Sequence, residues 1–133
     1  MNTAANGPTP VLTAEKIILI IEDDKDIGQT LVEIIHQETP YQAVLATNGY
    51  QAFQFLRRIT PCLLIVDYHL PVIDGLRFYD IFHDIERFKN IPAILTTASP
   101  SSIRNTARER QIPLVSKPFY LTTLLKEIEA SQV

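Results

Sequence analysis

Charged and hydroxyl side chains directly follow four short apolar runs of this 133-residue sequence. They are Glu22, Asp23, Asp24, Asp67, Thr96, Thr97 and Lys117. If the apolar runs are parallel strands, these side chains gather at one edge of a sheet, because the carboxyl ends of parallel strands meet there and such folds bind ligands at that edge. The pattern therefore predicts a site that combines several carboxylates with a hydroxyl and an ammonium.

The carboxylates of this predicted site would repel one another. Neighbouring strands lie about 4.8 Å apart, so carboxylates that end two of them would be roughly 5 to 7 Å from each other. At ~5 Å and an effective dielectric near 20, each pair repels by about 3 kcal/mol, and three close charges by on the order of 10. A domain cannot retain such repulsion, so protons or a cation must bind. We expect Mg²⁺, which combines a few carboxylates with water and phosphate oxygens.

Asp67 is the acid with no evident structural task. An Asp after a strand often caps the next helix, but "LPVID" follows within the loop and Asp74 is already placed as that cap. A carboxylate beside a metal, a lysine and a hydroxyl is the arrangement that phosphoryl transfer needs. We therefore predict that Asp67 is the nucleophile, with Lys117 and Thr97 on the phosphoryl oxygens.

The elements that position these groups alternate along the chain. The predicted strands are 17–21, 43–46, 63–66, 93–96 and 114–116. Apolar residues recur at spacings of three and four in the segments between and after them, namely Ile27, Leu31, Ile34 and Ile35, then Ala52, Phe55, Leu56 and Ile59, then Phe78, Phe82 and Ile85, and finally Leu121, Leu124, Leu125 and Ile128. The alternation predicts a three-layer, doubly wound (βα)5 fold of the α/β class, with a five-stranded parallel sheet.

Helix caps agree with this reading. Asn48 precedes the second helix and Asp74 the third, and Asp24 or Asp26 is placed to cap the first. The fourth helix, near 101–110, has only Ile103 and Ala107 as core-facing candidates.

Composition narrows the class of protein. The formal charge is −3 with no basic stripe, which argues against direct nucleic-acid binding. The longest apolar run, 17–21, is too short to cross a bilayer, and the chain start lacks a signal-peptide layout. The lone Cys62 fits a reducing compartment. We expect a cytoplasmic protein with one domain over 15–133 and a flexible leader over 1–14.

The chain resembles the receiver domain of bacterial two-component response regulators over about residues 16–131. The motifs are "ILIIEDD" (18–24), "LLIVDYHLPVIDG" (63–75), "PAILTTAS" (92–99) and "VSKPF" (115–119). The resemblance implies a flavodoxin-like sheet order of 2-1-3-4-5. It also implies a Mg²⁺-dependent phosphorelay in which a sensor histidine kinase or a histidine phosphotransfer protein donates the phosphoryl group. Such a domain is an enzyme only towards itself, through that transfer and slow hydrolysis of the aspartyl phosphate.

The resemblance also assigns individual roles. Glu22 and Asp23 correspond to the metal-binding pair of acids, and Asp67 corresponds to the phosphoacceptor. Thr97 corresponds to the hydroxyl switch residue and Lys117 to the family's lysine. It adds the main-chain carbonyl of His69 as a metal ligand, and a cis peptide bond before Pro118. Thr97 is favoured over Thr96 because it lies five residues after Pro92.

One departure from the family pattern leaves the output open. Leu114 stands where family members usually have Tyr or Phe, three residues before the lysine. We therefore do not assume that this chain contacts its downstream partners through the surface that other family members use. The alternative function is that of a pseudo-receiver, which acts only as an interaction module. A flavodoxin-like or phosphatase enzyme is disfavoured by the acidic loop "EDDKDIG" and by the missing second acid two residues after Asp67.

Partners beyond the phosphodonor are not predicted from the sequence. The third helix carries the further apolar residues Tyr79, Ile81 and Phe88, which we interpret as core packing, with a partner or homodimer surface as the alternative. The chain is expected to be either a stand-alone receiver or part of a longer protein.

Overall fold

A computed structural model describes residues 16–131, so the leader predicted for 1–14 lies outside the described residues. The strands are β1 (Ile17–Ile21), β2 (Gln42–Ala46), β3 (Leu63–Asp67), β4 (Ala93–Thr97) and β5 (Leu114–Ser116). The helices are α1 (Lys25–Glu38), α2 (Gly49–Leu56), α3 (Gly75–His83), α4 (Pro100–Glu109) and α5 (Leu121–Ser131). A short 3₁₀ helix, Glu86–Phe88, follows α3. Each helix of this part of the chain is too short or too polar to cross a membrane.

The five strands form one parallel sheet in the order β2-β1-β3-β4-β5, as predicted. Alternate residues of the central strands point to opposite faces. Leu19 and Leu64 belong to the core cluster that includes residues of α2, α3 and α4. Ile18 and Ile65 belong to the cluster that includes residues of α1 and α5. Both faces are therefore buried, which explains why these strands read as continuous apolar runs.

Three side chains cap helices as the sequence predicts. Asp24 caps α1 and Asp26 does not, while Asn48 and Asp74 cap α2 and α3. Their side-chain oxygens accept backbone N–H groups two or three residues ahead at 2.8 to 3.2 Å. Since Asp74 holds the cap of α3, Asp67 has no capping role.

The third helix is shorter than the apolar pattern indicates. It ends at His83, and Ile85, which we predicted on its core face, is 37% exposed. The cause is backbone geometry, because Ile85 has an extended backbone. Its N–H donates to the carbonyl of Phe82, three residues earlier rather than four, so the α-helical turn does not continue. The following 3₁₀ turn returns Phe88 to the core, where its ring stacks on Phe82 with centroids 4.9 Å apart.

The wide apolar set of this region divides in the structure. Tyr79 and Phe88 are 9% and 3% exposed, so core packing is confirmed for both. Ile81, at 40%, faces solvent. Two more expectations were wrong at helix ends: α2 stops before Ile59, and Leu121 is 43% exposed at the start of α5.

Candidate functional site

The ends of β1 and β3 bring three acids together. One carboxylate oxygen from each of Glu22, Asp23 and Asp67 lies within 4.8 Å of the other two. The register explains this proximity, because Ile21 pairs with Val66 and the next residues of the two strands are therefore neighbours. Glu22 and Asp67 are only 2% and 3% exposed, while Asp23 is open to solvent. The predicted proximity of the carboxylates is thus confirmed.

Lys117 directly follows β5, the edge strand of the sheet, and its side chain reaches the acids at the ends of β1 and β3. Its backbone N–H donates to the carbonyl of Thr97 at 2.8 Å and so extends the pairing of β4 with β5. Its Nζ lies 2.7 Å from Glu22 Oε1 and 3.3 Å from Asp67 Oδ2. The Lys117–Pro118 peptide bond is cis, as expected.

Burial and charge set the proton affinities of this cluster. Burial raises the pKa of Glu22, and the charge of Asp67 adds to this rise against the opposing hydrogen bond from Lys117. Burial alone would lower the pKa of Lys117, but its hydrogen bond to Glu22 and the charge of Asp67 raise it overall. Lys117 therefore stays an ammonium, and one ammonium among three carboxylates leaves the cluster negative.

The same cluster has the donor chemistry of a hard divalent cation. Asp67 Oδ1 is fully buried and finds no hydrogen-bond partner among residues 16–131. Leaving a buried acceptor unpaired costs about 1–3 kcal/mol. A cation would satisfy that oxygen, and Mg²⁺ prefers such carboxylate ligands with a partly hydrated shell. The residues present fit a bound Mg²⁺.

Thr97 and His69 are the two remaining residues of the predicted site. Thr97 ends β4, the neighbour of β3, and is fully buried; its Oγ1 accepts the N–H of Ser99 at 3.0 Å. The strand register pairs Asp67 with Thr96. Successive side chains of a strand alternate between the two faces of the sheet, so the side chain of Thr97 points to the opposite face from that of Thr96. The imidazole of His69 is exposed and packs edge-on against Tyr68 at 4.9 Å.

Gly75 is a residue of the site that our sequence reasoning missed. A Cβ atom at this position would lie 2.3 Å from the carbonyl oxygen of Asp67. The Gly75 N–H donates to the carbonyl of Tyr68 at 2.8 Å, which holds the start of α3 against the end of β3. The available signal was a glycine directly after the capping Asp74 in "VIDG".

Comparison with known proteins identifies the class. The family described as "Response regulator receiver domain" matches residues 18–129 of this chain. The chain belongs to the response regulator receiver domain family, and the site described above lies within the matched residues.

Individual relatives agree with this assignment. The chain is 30% identical over 114 residues to the response regulator receiver protein CpdR of Brucella abortus, covering 86% of this chain and 94% of CpdR. It is 34% identical over 86 residues to the transcriptional regulatory protein BaeR of Escherichia coli, covering 65% of this chain. The chain spans about a third of BaeR, since the match covers 34% of that protein.

Solved structures support the same fold. The receiver domain of HemR from Leptospira biflexa, in its non-phosphorylated form, is 26% identical to this chain with a TM-score of 0.77. The match covers 89% of this chain and 94% of the HemR domain. The flavodoxin-like (βα)5 architecture predicted from the sequence is therefore confirmed by both the topology and its neighbours.

Proposed function

We propose that this chain is a phosphoacceptor receiver domain that takes a phosphoryl group on Asp67 from a phosphohistidine. The phosphodonor is a sensor histidine kinase or a histidine phosphotransfer protein in the cytoplasm, and phosphorylation changes the binding of a downstream protein. The observation that carries this proposal is Asp67 Oδ1, a buried carboxylate oxygen without a hydrogen-bond donor among the described residues, at the centre of an acidic cluster closed by Lys117.

The transfer itself is one displacement. One carboxylate oxygen of Asp67 attacks phosphorus, the new P–O bond forms, and the P–N bond breaks with its electron pair left on the departing imidazole. Lys117 Nζ lies 3.3 Å from Asp67 Oδ2, so its ammonium is placed to neutralise a transferred phosphoryl oxygen. We assign the hydrogen bond to another phosphoryl oxygen to the hydroxyl of Thr97.

The expected cofactor is Mg²⁺. Its proposed ligands are Glu22, Asp23, Asp67 and the main-chain carbonyl of His69. When bound, it supplies positive charge that offsets the repulsion between the carboxylates and the incoming phosphoryl oxygens. The chain contributes the orientation: the ends of β1 and β3 hold the acids in place, and burial excludes bulk water from Asp67.

Covalent modification tests the proposal directly. The full chain is incubated with Mg²⁺ and acetyl phosphate, and intact mass is measured for the wild type, Asp67→Asn and the control Asp84→Asn, which changes an exposed acid at the end of α3. The wild type and the control should each gain one phosphoryl group, and Asp67→Asn none. EDTA should abolish the gain. A wild type that never gains mass under these conditions would leave the interaction module as the function.

A further inference from the structure

The outer edge of β2 is an open side of the sheet, because β2 is an end strand and pairs only with β1 among the described strands. The Gln42 N–H donates to the carbonyl that precedes β1, and the Ala46 carbonyl accepts the N–H that follows β1, both at 3.0 Å. Alternate residues of β2 therefore bond to β1, and the N–H and carbonyl groups of Ala43 and Leu45 point away from it. These outward groups line the open edge.

Side chains of the chain itself accept three N–H groups along this edge. The distances are 2.7 to 3.1 Å, and the donor and acceptor residues are Tyr41 with Thr39 Oγ1, Ala43 with His36 Nε2, and Thr47 with Gln51 Oε1. The Thr39 contact is a local turn of two residues. His36 and Gln51 instead come from α1 and α2, which pack on opposite faces of the sheet. The edge is thus covered from both sides.

The imidazole of His36 does more than satisfy one amide. Its hydrogen bond with Ala43 is exposed, so water would serve that N–H nearly as well. A side chain held against the edge has an effect that water lacks, because it occupies the position where the carbonyl of another strand would bind. Gln51 covers the other end of β2, where its Oε1 accepts both the N–H and the hydroxyl of Thr47.

The sequence of this edge favours pairing with an identical strand. Residues 41–47 read "YQAVLAT" and contain neither a charge nor a proline, which are features that commonly keep edge strands from pairing. Two copies that meet along this segment bring no like charges together, and one strand that pairs antiparallel with its own copy fits a two-fold axis. The Leu45 N–H, which has no side-chain acceptor among residues 16–131, is placed to donate to the second copy.

We propose that the outer edge of β2 is a pairing surface for a second copy of this chain, and that His36 and Gln51 hold it closed. Without these two side chains, the N–H groups of Ala43 and Thr47 are free to donate to carbonyls of a second β2. Two five-stranded sheets then join along this edge. Such self-association needs no phosphoryl group, so it goes beyond the proposed function. In the intact chain the two side chains keep the protein monomeric.

Sedimentation velocity over a concentration series tests this proposal on the full chain. The samples are the wild type, His36→Ala, Gln51→Ala and the double variant. The double variant should associate about tenfold or more tightly than the wild type, because two N–H groups per copy gain carbonyl acceptors across the interface. Each single variant should fall between them. If the double variant does not fold, His36→Ala alone still decides, since His36 is an exposed residue.

Matched controls separate the edge from the rest of the surface. His83→Ala removes another exposed histidine from the last turn of a helix, and Gln54→Ala removes another glutamine from α2. Neither variant should change self-association. Ala43→Pro, added to the double variant, should return it to a monomer, because proline has no N–H to donate and is tolerated on the outer side of an edge strand. Gln42→Lys, which places a charge on the same edge, replaces Ala43→Pro if that protein does not fold.

Three results would overturn the proposal. The first is a double variant that associates no more tightly than the wild type. The second is an association that persists after both Ala43→Pro and Gln42→Lys, since another surface would then be responsible. The third is an equal gain in association for the two control variants. The outcome does not depend on Asp67, so Asp67→Asn in the double variant should leave the association unchanged.

Discussion

Substitution of Gly75 by Ala tests how the fold positions Asp67. A Cβ atom there would lie 2.3 Å from the carbonyl oxygen of Asp67 and 2.9 Å from Tyr68 Cα. These are backbone atoms at the end of β3, and no side-chain rotation can relieve the contact. An alanine must therefore displace either the first turn of α3 or the segment that carries the phosphoacceptor.

The size of the effect follows from the geometry. A carbon atom normally stays about 3.3 Å or more from a carbonyl oxygen, so the backbone must open by ~1 Å. Overpacking of this kind typically destabilises by about 1–3 kcal/mol. Gly49→Ala is a matched control, because Gly49 is also the first residue of a helix after a capping residue. Its Cβ would meet only side-chain atoms, at 3.3 to 3.6 Å.

Urea unfolding of the two variants gives the comparison. The gain in helix propensity from Gly to Ala is shared, so it cancels in the difference between them. We expect Gly75→Ala to be less stable than Gly49→Ala by about 2 kcal/mol, and to gain less phosphoryl group from acetyl phosphate. Equal unfolding free energies for the two variants would refute the argument that Gly75 is required by contact with the Asp67 backbone.

Three further predictions concern stability. Val72 is exposed and has a φ of 73°, in a three-residue turn in which the Ile73 N–H donates to the Pro71 carbonyl. Because a β-branched residue is strained at positive φ, Val72→Gly should raise the free energy of unfolding in urea by ~1 kcal/mol. An unchanged urea midpoint of unfolding would contradict this strain. Asp24→Ala should cost about 1 kcal/mol by loss of the α1 cap, and Asp26→Ala distinctly less, as measured by thermal unfolding. The two hydrogen bonds from Arg110, at 2.7 and 2.8 Å, lower the pKa of Asp80. Their contribution to folding stability is therefore fully present above the unfolded-state pKa of Asp, about 3.9. It is lost as the pH falls through the lower folded-state pKa of Asp80. Asp80→Asn should reduce stability at pH 7 by less than about 1 kcal/mol, since the pair is partly exposed, and the difference from the wild type should vanish in strong acid.

The regular elements were predictable because burial leaves a periodic pattern in the chain. The bounds of β1 and β5 match the predicted runs, and β3 differs only by including Asp67. Where the pattern failed, local backbone geometry decided. Ile85 continues the spacing of α3, but an extended backbone at that residue ends the rotation that would have buried it.

The sequence by itself determined which side chains meet at the site. In a parallel sheet the strands share one direction, so Glu22, Asp67 and Lys117 must end at the same edge. The tertiary structure alone decided how they pair. The 2.7 Å contact of Lys117 with Glu22 and the fit of Gly75 against Asp67 depend on distances between strands and loops far apart in the chain, and the order of residues does not encode such distances.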